Sequence, residues 1–176
     1  PPDTTRIQFL MKISNSGDIT GYKTDFAKFL VGTKDKVDVF GKPYGAALHN
    51  GKLYVCDNTL KGLEIINFSK RTFEYFIPTG KGQLKSALNC DLDSSGYLYV
   101  ADPERKQIVI FDEQRKYFDC FGDTGTFKPT DISIYKDTIW VANMKGHKIN
   151  AFLKKPPFSE VFSVGDSTVE DSGYLR

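Results

Sequence analysis

A five-residue string that returns three times constrains this chain more than any other feature. Leu53-Tyr54-Val55-Cys56-Asp57 recurs as Leu98-Tyr99-Val100-Ala101-Asp102 and again as Ile139-Trp140-Val141-Ala142-Asn143, at spacings of 45 and 41 residues. A period of that length marks a repeat architecture, in which each unit cannot bury its apolar face alone. The same order of segments surrounds each copy: residues 43–48, 87–92 and 129–134 upstream, and 63–68, 107–111 and 148–152 downstream. Each unit then ends in an aromatic run with a glycine, at 73–80, 117–122 and 161–165. β-Branched and aromatic runs bounded by Gly, Asp and Lys read as strands, so each unit predicts four of them.

Four short antiparallel strands per repeat of 40 to 45 residues predict an all-β fold, a β-propeller of four-stranded blades. The period-2 alternation and the density of turns exclude a helical solenoid. Tyr54, Tyr99 and Trp140 are then expected to fill one layer between blades. We place blade 1 at 41–80, blade 2 at 81–122 and blade 3 at 123–165. Arg6 to Ser14 align with the fourth strands, so residues 1–17 are expected to supply a closing outer strand to another blade. Residues 18–40 form an insertion in which Thr24, Phe26, Phe29 and Leu30 predict a short helix. Residues 166–176 align with the run before Pro129 and are read as the start of a further blade. Three blades leave two apolar sheet faces open, whereas rings have four to eight. Three completions fit: a longer chain of which this is a fragment, a homodimer of half-rings, or a hetero-partner that closes the ring.

Composition removes several alternatives. Of 176 residues, 40% are hydrophobic and 26% charged, which is globular, and the net charge of +2 comes from 24 basic and 22 acidic residues interspersed along the chain. Samples such as Lys34-Asp35-Lys36 and Glu104-Arg105-Lys106 give no nucleic-acid arm or polybasic membrane patch. No run approaches the roughly 18 apolar residues that span a bilayer. Cys56, Cys90 and Cys120 lack the C-x-x-C spacing of zinc or thioredoxin-like sites. Cys56 aligns with Ala101 and Ala142, and Cys90 with Ala46 and Ile132, so both read as small buried positions; lying on adjacent blades, the two could also form a bridge.

The pattern Pro-x-Gly-φ-Ala-φ-x-x-Gly-x-Leu-Tyr-Val-Ala-Asp, followed by an Ile/Val-Phe strand, resembles the NHL repeat. Residues 87–112 carry it best, 43–68 and 129–152 recognisably, and the resemblance covers 41–165. Residues 1–10, PPDTTRIQFL, are similar to the start of mature bacterial six-bladed NHL proteins, which are often exported lipoproteins. That resemblance implies an extracytoplasmic location and a lipid anchor upstream of Pro1. The chain departs from the pattern at Ala87 (for proline), at Asn143 (for aspartate) and in a two-residue insertion within 59–62.

Two sets of polar residues are candidates for more than packing. Asp57, Asp102 and Asn143 recur at one blade position, and that repetition reads as structural capping of turn amides rather than as a ligand ring. First strands line the central channel of a propeller, so the non-repeating Asn89, Asp91, Asp131 and Ser133, with Tyr44 at the mouth, are the ligand-binding candidates. The competing reading is that they bond the neighbouring backbone. His49 and His147 occupy non-equivalent positions, which argues against the histidine-rich zinc site of NHL-like amidating lyases. Lactonase-like propellers hold a divalent ion through Glu, Asn and Asp; Asn89, Asp91 and Asp131 match part of such a set, without a channel glutamate. The expectation is a non-catalytic protein- or peptide-binding scaffold that needs no cofactor. A metal-dependent hydrolase or lyase and an RNA-binding module stand as the alternatives.

Overall fold

The computed structural model describes residues 9–21, 37–122 and 125–165. Three four-stranded antiparallel sheets follow one another: β1–β4 (Pro43–His49, Lys52–Asp57, Gly62–Asn67, Thr72–Phe76), β5–β8 (Asn89–Leu92, Leu98–Asp102, Gln107–Phe111, Tyr117–Phe121) and β9–β12 (Pro129–Tyr135, Thr138–Asn143, Lys148–Leu153, Glu160–Val164). In each, the strands lie in chain order, and the first strands β1, β5 and β9 sit side by side. The chain is therefore a partial propeller of three blades.

Alternation along the strands decides which blade each side chain meets. Odd and even positions of a strand point to opposite faces. In blade 2, Leu98 and Val100 face blade 1, in a core with Tyr54, Cys56, Leu63, Cys90 and Phe111, and the Phe76 and Phe111 rings meet edge-on at 5.1 Å. Tyr99, Ala101, Ile108 and Ile110 face blade 3, against Ile132, Ile139, Val141 and Phe152. Strand β6 is consequently buried at every position. Burying one such large side chain is worth about 1.5–3 kcal/mol, which is why the middle blade anchors the arc.

The two end blades are treated differently. The outward face of blade 1, with Leu53, Ile66 and Phe73, is covered by Ile13, Ile19 and Phe40 from the segment before it. A four-residue helix, α1 (Gly17–Thr20), holds Ile19 there, and the strap is tied by Ser16 N–H to the Asp38 carbonyl (2.8 Å), Asp38 N–H to Ser16 Oγ (2.9 Å) and the Tyr75 hydroxyl against Val39 (2.9 Å). The helix expected around Thr24 to Leu30 lies outside the described residues. Of the expected outer strand, residues 1–8 also lie outside them, and residues 9–14 pair with no strand among the described residues. The fourth position of each described sheet is taken by β4, β8 and β12. The bridge between Cys56 and Cys90 is not formed: all three cysteines are free thiols. The Cys56 thiol is pushed well up by its hydrogen bond with Cys90 and then by burial.

Candidate functional site

The channel strands come close enough for side chains of one blade to reach the backbone of the next. Gly45 on β1 donates its N–H to the Leu88 carbonyl (2.9 Å), and a Cβ there would lie 2.7 Å from the Asn89 Cα and collide with the Asn89 amide. Glycine is what lets β1 and β5 approach. Across the next junction, Asn89 donates through Nδ2 to Asp131 Oδ1, while its own Oδ1 accepts from the Cys90 N–H (2.8 Å). Asp131 Oδ1 also accepts from Ile132 N–H (2.8 Å). Asp91 accepts from Leu92 N–H (2.8 Å) through Oδ1 and from Ile134 N–H on β9 (2.6 Å) through Oδ2.

Three of the five channel candidates are thus brought together, and two are not. Asn89, Asp91 and Asp131 join β5 to β9. Tyr44 is more than half exposed, with the Lys42 ammonium 5.4 Å from its ring centroid. Ser133 is exposed on the side of β9 that faces away from blade 2. His49 neighbours Asn50, with Nε2 3.0 Å from the amide nitrogen, whereas His147 sits in the β10–β11 turn with φ of 50°. Among the described residues, no group of three His, Cys, Asp or Glu side chains could hold a metal ion.

Asp57, Asp102 and Asn143 occupy one geometry. Each is buried at the end of the second strand and ties the linker before its blade to the following turn. Asp57 accepts four backbone N–H groups, from Gly41 (2.6 Å), Lys42 (2.7 Å), Thr59 (2.8 Å) and Leu60 (2.9 Å). Asp102 accepts from Lys85 (2.7 Å) and Arg105 (2.9 Å), and Asn143 from Lys128 (2.9 Å) and Gly146 (3.1 Å). Burial alone would raise the Asp57 carboxyl; the bonds from Leu60, Lys42, Gly41 and Thr59 outweigh it and hold the group below the usual carboxylate value. Bonds to the charged form act in that direction.

Sequence reading missed Glu64. It sits on β3 opposite Val55, fully buried, and among the described residues neither carboxylate oxygen has a hydrogen-bond partner. Burial, followed by the neighbouring Asp57 charge, pushes its carboxyl up to about 7. The equivalent positions are Val109, opposite Val100, and Asn150, opposite Val141. A carboxylate where blade 2 has an aliphatic residue was the available signal.

No family model matches the sequence, and no curated protein matches it. Solved structures do match, at 12–15% identity, and they show the fold alone. A propeller in the nidogen/laminin complex aligns with a TM-score of 0.60 at 13% identity, over 74% of this chain and 52% of that one. Virginiamycin B lyase from Staphylococcus aureus aligns at 0.55 and 14% identity, over 68% and 40%, and Kuenenia stuttgartiensis hydrazine synthase at 0.55 and 14%, over 77% and 40%. This chain therefore spans about two fifths of the length of the latter two. Its class is the β-propeller, and among these matches a lyase and a protein found in a protein complex share it.

Proposed function

We propose that the chain is part of a six-bladed NHL-type ring that serves as a non-catalytic protein-binding scaffold outside the cytoplasm, as in bacterial exported NHL proteins. The use made of the channel side chains carries this reading. Asn89 with Asp131, and Asp91 with the Ile134 N–H, each make one bond from blade 2 to blade 3, while Asn89, Asp91 and Asp131 also each accept the next N–H of their own strand, and a ligand would have to compete with those bonds. Extracytoplasmic placement and an upstream lipid anchor rest on the resemblance carried by residues 1–10.

Asp91→Ala tests the clamp. Removing the acceptor of the Ile134 N–H is expected to lower unfolding stability in urea by about 1–3 kcal/mol. Polar groups kept for a ligand are commonly held at a cost to stability, so a variant as stable as the parent, or more so, would overturn the reading.

The outward face of blade 3 is the surface that supports a partner. Trp140 is only half-buried, although its counterparts Tyr54 and Tyr99 are 2% and 3% exposed. Beside it, Ile149, Phe162 and Val164 are 47%, 55% and 51% exposed. The matching face of blade 2 is covered by blade 3, so the occupant we assign is a further four-stranded blade. A second copy of the chain would offer the outward face of its blade 1, where Ile13, Ile19 and Phe40 already sit. Acrylamide is expected to quench Trp140, the sole tryptophan, readily in the dilute chain and less as a completing blade docks. A Trp140 that resists quenching at every dilution would count against an open face.

A further inference from the structure

The two blade junctions each carry a cavity on the side of the second-to-third-strand turns, and the two differ in charge. The cavity between blades 2 and 3, about 390 Å³, is walled by Phe121, Phe127, Asn143 and Asn150, and the Lys148 ammonium in its wall has a carboxylate beside it in Glu160, at 3.7 Å. The cavity between blades 1 and 2, about 450 Å³, is walled by Lys61, Lys81, Lys85 and Arg105, and among the described residues no Asp or Glu belongs to its wall. Asp102 lies buried behind that wall, with its two oxygens taken by the Lys85 and Arg105 N–H groups. Glu104 is exposed on the same turn and is not part of the wall. Four cations thus converge against one buried carboxylate.

Like charges would spread into solvent if nothing held them. Arg105 is held: its guanidinium donates to the Lys81 carbonyl (3.0 Å), the Gln83 carbonyl (2.6 Å) and, through Nε and a terminal nitrogen, to Gln107 Oε1 (3.1 and 3.0 Å). It acts as a fixed positive charge, while Lys61, Lys81 and Lys85 bring mobile ammonium donors from two separate loops. Lys61 stands on a left-handed turn position, φ 52°, which sets its side chain relative to the linker at Gly80–Gly82. Rigid and mobile cations around one hollow suit an anion carrying several oxygens, since charge-assisted bonds to such oxygens are the strong ones.

We propose that the cavity between blades 1 and 2 is a binding site for a multiply charged oxyanion, the phosphate or carboxylate groups of a small ligand, held by Lys61, Lys81 and Lys85 around the fixed Arg105. The proposal is independent of the channel and of the open face of blade 3, because it uses none of their residues.

Calorimetric titration of the full chain at low ionic strength, with pyrophosphate and separately with citrate, tests it. Saturable one-to-one binding is expected, weakening as salt is added. The triple variant Lys61→Gln/Lys81→Gln/Lys85→Gln should lose at least about tenfold in affinity, whereas Lys70→Gln/Lys116→Gln/Lys136→Gln, the same charge change on other turns, should stay within about twofold. Preference for pyrophosphate identifies a phosphate-bearing ligand, and preference for citrate a polycarboxylate. Absence of saturable binding to the parent chain, or an equal loss in both folded triple variants, would overturn the proposal.

Discussion

Asp57→Ala is expected to destabilise the chain by about 4 kcal/mol, the largest loss from any single polar substitution considered for it. Four backbone N–H groups converge on that carboxylate, two from the linker before blade 1 and two from the turn after β2. Each bond to a charged acceptor contributes roughly 1.5–3 kcal/mol, and water recovers part of that for donors near the surface. Asp57→Asn is expected to recover about half the loss, because Asn143 does the same work in blade 3 with a single amide oxygen that takes the Lys128 and Gly146 N–H groups. Urea unfolding of both variants measures this. Equal stability of Asp57→Ala and the parent would mean that the linker and turn keep their geometry without the carboxylate.

The second large effect runs the other way, since Glu64→Leu is expected to stabilise the chain above neutral pH. Glu64 is held at about 7 in the folded chain and returns to about 4.5 when unfolded. A carboxyl raised on folding binds more protons in the native state, so stability is greatest below the unfolded value and falls as pH rises through the folded one. Each unit between those two values removes about 1.4 kcal/mol, which comes to about 2.5 kcal/mol between pH 5 and pH 8. The leucine variant lacks the titrating group and matches the apolar character of Val109 at the same place in blade 2. Its gain should therefore be small at pH 5 and about 2.5 kcal/mol at pH 8. Parallel pH profiles for parent and variant would show that Glu64 does not titrate in this window. Burial makes the effect large, since Glu64 is fully buried with the Asp57 charge beside it.

Much of the site could be placed from the sequence but not interpreted from it. Alignment of the repeats put Asn89, Asp91 and Asp131 on first strands and left open whether they face a ligand or a neighbour. Only the positions of β5 and β9 in space supply the answer, because the Ile134 N–H that Asp91 accepts lies 43 residues further along. Tyr44 and Ser133 passed the same sequence test and yet stand apart, both exposed to solvent. Lys61, Lys81, Lys85 and Arg105 were invisible as a group. Charge scattered along a chain reads as neutral until turns from two blades gather one sign into one cavity.

By itself the sequence determined the repeat, the all-β class and the face of each strand that carries apolar residues, since these depend on local alternation and on turn residues at a regular spacing. Tertiary structure alone decided what each face meets. Tyr54 and Tyr99 are buried and Trp140 is not, although the three occupy one repeat position, because blades 2 and 3 cover the first two and no described residue of a further blade covers the third. The same holds for Glu64, whose carboxylate becomes a fully buried acid beside Asp57 only through the packing of distant segments. Local pattern sets what a side chain can bury, and the packing of distant segments sets whether it does.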